Sequence, residues 1–96
     1  MQRREKVAAL VGAVIDELNL QRGLGEALSK AADAPLFTQG GPLDSLGLVN
    51  LIADLEGRVE AEFGAWVNLA DETLFTGAGS PFQSVGRLVD YIDGIL

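Results

Sequence analysis

The sequence predicts an all-α fold, a four-helix bundle made of three main helices and one short third helix. Three segments carry apolar residues at intervals of three and four, the period of a helix with one buried face. Glycine and proline separate these segments, and no stretch reads convincingly as a strand. At 96 residues, the chain is expected to form one domain, residues 1–96.

The first helix is predicted from Lys6 to Leu20. Its apolar residues form a single stripe: Val7, Leu10, Val11, Val14, Ile15 and Leu18. The following segment, Gln21 to Pro42, contains four glycines and two prolines and is therefore predicted to be mostly loop. A short helical turn is expected within it, around Glu26 to Ala31.

The second helix is predicted to begin at Asp44 or Ser45. Asp44 is a good N-cap residue, and Leu43 before it can pack onto Leu48 as a hydrophobic staple. The pattern continues to Glu62 or Phe63, where Gly64 is expected to end the helix. The predicted core stripe consists of Leu48, Leu51, Ile52, Leu55 and Val59.

The remaining helices are predicted in the last third of the chain. Trp66 to Phe75 is interpreted as a loop followed by the short third helix, and Gly77 to Gly79 break the chain after it. Ser80 and Pro81 then have the character of an N-cap and a first helical position. The expected buried face of this last helix is Phe82, Val85, Leu88, Val89 and Ile92.

The composition disfavours several classes of function. Fourteen acidic and seven basic residues give a formal charge of -7, which opposes binding to nucleic acid or an anionic membrane. The chain has no histidine and no cysteine, so we expect no catalytic residue, no metal site and no enzyme activity of its own. No apolar run approaches roughly 18 residues, so neither a signal peptide nor a membrane span is expected. The cysteine-free composition suits a cytoplasmic protein.

Helix two also carries apolar residues away from its core stripe. At roughly 100° per residue, Leu46, Val49 and Ala53 lie on the opposite side, and we call these three residues the apolar face. Single exposed apolar residues are ordinary, but these stand beside Ser45 at the start of the helix. We therefore interpret the apolar face as a partner-binding surface. Acidic residues flank it, and the first two are expected to contact partners: Asp54, Glu56 and Glu60.

The segment LDSLGLVNLIADLE resembles the Asp-Ser-Leu segment of acyl carrier proteins and of their peptidyl and aryl carrier relatives. The residues that match are Asp44, Ser45, Leu46, Val49, Leu51, Ile52, Leu55 and Glu56. More loosely, Phe37 lies eight residues before Ser45, as a core aromatic does in that family, and LVDYIDGIL is similar to the last helix. The resemblance implies the family's four-helix bundle. It also implies a 4'-phosphopantetheine group, transferred from coenzyme A to Ser45 and flanked by Asp44 and Leu46.

The same resemblance implies a set of partners for a monomeric protein that carries a thioester-bound acyl intermediate. These partners are a phosphopantetheinyl transferase, an acyl- or aminoacyl-loading ligase or transferase, and downstream biosynthetic enzymes. Gly47 and Asn50 stand where fatty-acid carriers often have acidic residues, which favours a specialised pathway of secondary-metabolite or polyketide-like type. The alternatives are a peptidyl or aryl carrier, or an unmodified helical interaction module. The carried group is left open.

Overall fold

The computed structural model of the protein describes residues 2–20, 28–38, 41–70, 74–75 and 79–96. They contain three α-helices, α1 (Arg3–Asn19), α2 (Ser45–Phe63) and α3 (Val85–Ile95), and a 3₁₀ helix, Pro81–Gln83, before α3. These ranges contain no β-strand, and the only strand-like feature in them is an antiparallel bridge between Pro35 and Ser84. The predicted all-α class is confirmed as a small helical bundle.

Helix α1 packs against both other α-helices. Its buried residues all belong to the predicted stripe: Val7, Leu10, Val11, Val14 and Ile15. The helix begins at Arg3 rather than at the predicted Lys6. Arg3 and Arg4 form ion pairs with Asp93 and Asp90 of α3, each at 2.8 Å, so the added turn has tertiary contacts that apolar periodicity does not reveal.

Helix α2 begins and ends where the sequence predicts. The side chain of Asp44 caps it, and Gly64 ends it with a φ of 67°, a left-handed conformation that glycine adopts without a steric penalty. The buried residues are those of the predicted stripe: Leu48, Leu51, Ile52, Leu55 and Val59. This face turns toward α1, so the opposite face of α2 is left to solvent.

The start of the last α-helix differs from the prediction. Ser80 and Pro81 begin only the short 3₁₀ helix, and α3 has its own N-cap in Ser84, whose side chain accepts a hydrogen bond from the backbone N–H of Arg87. Ser84 is extended, with φ -152° and ψ 162°. This conformation follows from its bridge to Pro35, which interrupts what the sequence pattern presents as one helix.

Backbone hydrogen bonds join the segment before α2 to the segment that leads into α3. The N–H of Leu36 donates to the carbonyl oxygen of Gln83 at 3.3 Å, and the N–H of Phe37 donates to that of Phe82 at 2.7 Å. In the other direction, the N–H of Val85 donates to the carbonyl oxygen of Ala34 at 3.0 Å. We call this set of contacts the ladder.

Two minor predicted helices are not seen in the described residues. The turn expected around Glu26 to Ala31 lies partly outside them, and residues 28–31 have no helical structure. The loop and short third helix are expected within Trp66 to Phe75. Residues 66–70 have no regular secondary structure, residues 71–73 lie outside the described residues, and Leu74 lies in a 3₁₀ turn. The fourth helix of the bundle therefore stays a prediction.

The buried core draws on loops as well as on helices. Among the described residues, six buried apolar residues lie between the α-helices and outside the 3₁₀ helix: Leu28, Ala34, Leu36, Leu43, Val67 and Leu69. Phe82 is fully buried, and its ring meets that of Phe75 edge to face, with 5.9 Å between the centroids. Across the ranges that the structure describes, no helix is both long enough and apolar enough to cross a membrane.

Candidate functional site

Ser45 is the first residue of α2 and is exposed to solvent. The capping role belongs to the residue before it, because Oδ1 of Asp44 accepts a hydrogen bond from the backbone N–H of Gly47 at 2.7 Å. The carbonyl oxygen of Asp44 also accepts from the N–H of Leu48 at 2.9 Å. Within the described residues, the Ser45 hydroxyl makes no hydrogen bond. It is therefore free of the structural work that serines at helix starts usually perform.

Contacts of Leu43 position the residues immediately before Ser45. Leu43 is buried, as is Leu48 one turn into α2, which is the placement expected of a hydrophobic staple. The N–H of Leu43 donates to the carbonyl oxygen of Leu36 at 3.3 Å, and Leu36 itself belongs to the ladder. These contacts hold the start of α2, and with it Ser45, at a defined place on the surface.

The backbone at the start of α2 favours a negative group near Ser45, while the carboxylate of Asp44 beside it opposes one. The first turn of α2 contains no acidic residue, and the first N–H groups of a helix form the positive end of its dipole. Asp44 occupies the N–H of Gly47, while the N–H groups of Ser45 and Leu46 have no acceptor among the described residues. A phosphate at this position would meet these two N–H groups and a favourable dipole.

The apolar face is exposed, as the helical periodicity predicts. Leu46 is 69% exposed and Val49 is 57% exposed, and Ala53 is exposed one turn further along. Leu46 and Val49 are large apolar side chains within one turn of Ser45, with no core to cover them. Burying such side chains against another molecule removes apolar surface from water, which is favourable. The arrangement provides a contact surface directly beside the exposed hydroxyl.

The acidic residues around the apolar face do not share one environment. Asp54 is half-buried and Glu60 is exposed, and neither forms an ion pair within the described residues. Glu56 is half-buried, and its Oε2 accepts a hydrogen bond from the backbone N–H of Leu69 at 2.8 Å. Sequence reasoning placed Glu56 with the partner-binding residues and did not reveal this intramolecular contact, because periodicity does not predict where a following loop lies.

Packing leaves little room for an acidic side chain, or any other, at position 47. A β-carbon placed on it would lie 3.0 Å from Cδ2 of Leu43 and 3.2 Å from Oδ1 of Asp44. Leu43 is buried and Asp44 caps the helix, so neither can move freely away. An acidic side chain at position 47 would crowd the staple and repel the capping carboxylate. The lack of charge here is thus linked to how α2 begins.

No packing contact explains the glycine at position 57, and the sequence pattern did not single this residue out. It lies in the interior of α2 and is exposed, and a β-carbon there would meet nothing within 4 Å. Its φ is not positive, since Gly64 is the one described glycine with a positive φ. A glycine inside a helix costs about 0.5–1 kcal/mol relative to alanine. The described part of the chain contains no contact that requires it.

The rest of the described surface was not predicted from the sequence to bind a ligand, and its potential metal ligands and its grooves agree with that only in part. No group of histidine, cysteine, aspartate or glutamate side chains that could hold a metal ion occurs in the described ranges. An open groove of about 410 Å³ lies between α1 and α3, and its floor consists largely of small residues. Its charged rim is already neutralised, because Lys30 pairs with Asp16 and Arg4 pairs with Asp90. None of the predicted site residues lines it.

Comparisons with models of known protein families, with curated proteins and with solved structures find no significant match for this chain. The candidate site is defined by its own geometry. It combines an exposed serine that has no capping role, a helix start whose first two N–H groups have no acceptor among the described residues, and an apolar face within one turn.

Proposed function

We propose that this protein is a carrier protein that bears 4'-phosphopantetheine on Ser45 and transports a thioester-bound acyl intermediate. The observation that carries the proposal is the division of labour at the start of α2. Asp44 caps the helix, while the hydroxyl of Ser45 stays exposed and unbonded within the described residues. A serine that is held in place and whose hydroxyl has no capping role is suited to covalent modification.

The residues around Ser45 fit the proposed group. When bound, 4'-phosphopantetheine supplies the terminal thiol for a thioester, which this chain cannot supply because it has no cysteine. The N–H groups of Ser45 and Leu46, at the positive end of the α2 dipole, favour the negative charge of the phosphodiester. Asp44 keeps these donors in place by capping the helix through Gly47.

The apolar face gives partner enzymes a place to dock beside the modified residue. Leu46 and Val49 are the exposed large apolar residues of α2. We infer that they contact a phosphopantetheinyl transferase first, and then a loading ligase or transferase and the downstream enzymes. Tethering the intermediate raises its effective concentration at each partner's active site. The carrier holds the intermediate and presents it to its partners, and the partners perform the chemistry.

The neutral start of α2 supports a specialised biosynthetic pathway over fatty-acid synthesis. The first turn has no acidic residue, and at Gly47 the packing of Leu43 and Asp44 opposes one. Enzymes that recognise strongly acidic carriers would find less attraction here. A peptidyl or aryl carrier has the same modified serine, so the identity of the loading ligase distinguishes these classes.

The direct test is intact-mass measurement of the purified protein after treatment with a broad-specificity phosphopantetheinyl transferase and coenzyme A. We expect a mass gain of one phosphopantetheine, located on Ser45 by peptide mapping. The reaction without coenzyme A and the variant Ser45→Ala serve as controls. An unchanged mass with several transferases of different specificity would contradict the proposal.

A second candidate function, an unmodified interaction module, is favoured by the exposure of Leu46 and Val49. An amphipathic helix of a partner could bury this pair without any modification of Ser45. In that case the mass does not change, and Ser45→Ala binds the partner as the parent does. The two functions therefore give opposite results in the same mass measurement.

A further inference from the structure

Gly41 lies shortly before α2, at a point where the chain folds back closely on itself. Its backbone N–H donates a hydrogen bond to the carbonyl oxygen of Thr38 at 2.8 Å. A β-carbon placed on Gly41 would collide with Oγ1 of Thr38, and it would lie 3.0 Å from the carbonyl oxygen of Thr38 and 3.1 Å from that of Leu36. Two of these three atoms belong to the backbone, so a rotation of the Thr38 side chain would relieve only one of the contacts.

The carbonyl oxygen of Leu36 connects this close approach to the residues before α2. It accepts the hydrogen bond from the N–H of Leu43 at 3.3 Å, and it is also one of the atoms that a side chain at position 41 would crowd. Leu36 is fully buried, and its own N–H donates to the carbonyl oxygen of Gln83, so Leu36 is held in place from its other side. A side chain at position 41 would therefore displace Leu43 more readily than Leu36.

Leu43 and Asp44 would transmit such a displacement to Ser45. Cδ2 of Leu43 lies 3.0 Å from the β-carbon position of Gly47, so the Leu43 side chain rests against the first turn of α2. Asp44, the next residue, caps the same turn by accepting a hydrogen bond from the N–H of Gly47 at 2.7 Å. A shift of these two residues would loosen the first turn, to which Ser45 belongs.

We propose that Gly41 is a positioning residue for the modification of Ser45. The absence of a side chain at position 41 lets the chain close between Leu36 and Leu43, and this closure keeps the first turn of α2 formed, with the serine hydroxyl presented to the modifying enzyme. Gly41 acts through Leu43 and Asp44, and not by contact with the transferred group. The inference rests on the proposed function, because it concerns the loading of the same serine.

The first measurement is steady-state loading of the protein by a broad-specificity phosphopantetheinyl transferase with coenzyme A. In this reaction the Ser45 oxygen forms a bond to phosphorus, its proton leaves, and the adenosine bisphosphate part of coenzyme A is the leaving group. For Gly41→Ala we expect kcat/KM to fall about three- to tenfold, because fewer molecules present the serine correctly and an overpacked contact is typically of this size.

The second measurement is amide hydrogen exchange of the unmodified protein by NMR, which does not depend on the enzyme. The N–H groups of Gly47 and Leu48 both bond to Asp44, so they report on the first turn of α2. In Gly41→Ala both should exchange faster than in the parent. The N–H of Leu55, in the middle of α2, should exchange at the parent's rate.

A compensating change tests the contact itself. Thr38→Ala removes the hydroxyl that a β-carbon at position 41 would meet, and it leaves the two carbonyl oxygens in place. Thr38→Ala alone should load as the parent does. The double variant, Thr38→Ala with Gly41→Ala, should recover part of the lost loading and part of the lost exchange protection, whereas the effects of two unrelated changes would simply add.

Two controls separate position 41 from other glycines and from general stability. Gly79→Ala replaces an exposed loop glycine whose β-carbon would meet nothing within 4 Å. Ser84→Ala removes the side-chain N-cap of α3 and lowers stability away from α2. Both should load with the parent's kcat/KM. Circular dichroism of Gly41→Ala should show the helix content of the parent, because the change acts on one turn.

The outcomes distinguish this inference from the function on which it rests. Slower loading and faster first-turn exchange in Gly41→Ala, with recovery in the double variant, support it. Loading of Gly41→Ala with the parent's kcat/KM, or slower loading without faster exchange, overturns it and leaves the carrier function standing. No recovery in the double variant, or a general loss of helix in Gly41→Ala, also overturns it, because position 41 would then support the whole fold. No loading of the parent protein overturns the carrier function and this inference together.

Discussion

Oε2 of Glu56, in the middle of α2, accepts a hydrogen bond from the backbone N–H of Leu69 at 2.8 Å, across 13 positions of sequence. Leu69 is fully buried, and the contact holds the segment after α2 against the side of the helix. Because this oxygen is engaged inside the molecule and the residue is half-buried, Glu56 acts mainly on the fold. The proposed partner surface is therefore limited to exposed residues such as Leu46, Val49 and Ala53.

The contact of Glu56 predicts a local effect of its removal. Glu56→Ala leaves the N–H of Leu69 without its acceptor, and we expect a loss of about 1 kcal/mol of stability, as for a typical hydrogen bond. Glu56→Gln keeps an acceptor oxygen and should lose less. Amide hydrogen exchange measured by NMR provides the decisive reading at Leu69. Equal exchange of that amide in the parent and in Glu56→Ala would contradict the assigned contact.

Two serines at helix starts should respond oppositely to alanine. Ser45→Ala should fold with an unchanged melting temperature and gain no phosphopantetheine, because Ser45 neither caps α2 nor lies in the core. Ser84→Ala should lose about 1 kcal/mol, since Ser84 caps α3 through the N–H of Arg87, yet it should still be modified. Thermal unfolding by circular dichroism and intact mass give the two readings. A modified Ser45→Ala variant would show that another residue carries the group.

The two sides of α2 are expected to separate stability from function. Leu55 is fully buried, so Leu55→Ala should cost about 2–5 kcal/mol, enough to unfold much of a small domain. Val49 is 57% exposed, so Val49→Asp should change stability by no more than about 0.5 kcal/mol while slowing loading. Denaturant titration and the loading rate measure the two effects. Similar destabilisation by both changes would mean that the apolar face is part of the core.

An acidic residue should be tolerated at position 50 but not at position 47. Gly47→Asp forces a side chain against Leu43 and beside the capping carboxylate of Asp44, and we expect a loss of about 1–3 kcal/mol. Asn50 is exposed, so Asn50→Glu should stay within about 0.5 kcal/mol of the parent. Melting temperatures decide the matter. A Gly47→Asp variant as stable as Asn50→Glu would show that Leu43 and Asp44 adjust to the added side chain.

The limits of α2 could be predicted because their causes are local. The N-cap at Asp44, the buried Leu43 and the left-handed Gly64 all lie within a few residues of the helix ends that they determine. The start of α3 could not be predicted in this way. Ser84 is extended because it pairs with Pro35, a residue far away in the sequence whose position only the tertiary structure provides.

The candidate site shows the same division between local and distant causes. The exposure of Ser45, Leu46 and Val49 follows from helical periodicity, since they lie away from the core stripe. The engagement of Glu56 depends on where a loop returns after the helix ends. The open surroundings of Gly57 are likewise a property of the folded surface, although a glycine within a helical pattern was visible in the sequence.

The ladder couples the surroundings of Ser45 to the segment that leads into the last helix. Leu36 donates to Gln83 near the start of α3 and accepts from Leu43 just before α2, so it transmits the docking of one segment to the other. A chain whose last helix has detached, by proteolytic clipping or by incomplete synthesis, loses the support of Leu36 and presents Ser45 on an unanchored loop. An enzyme that acts on Ser45 as proposed should therefore be sensitive to whether the last helix is docked, even though it contacts only α2.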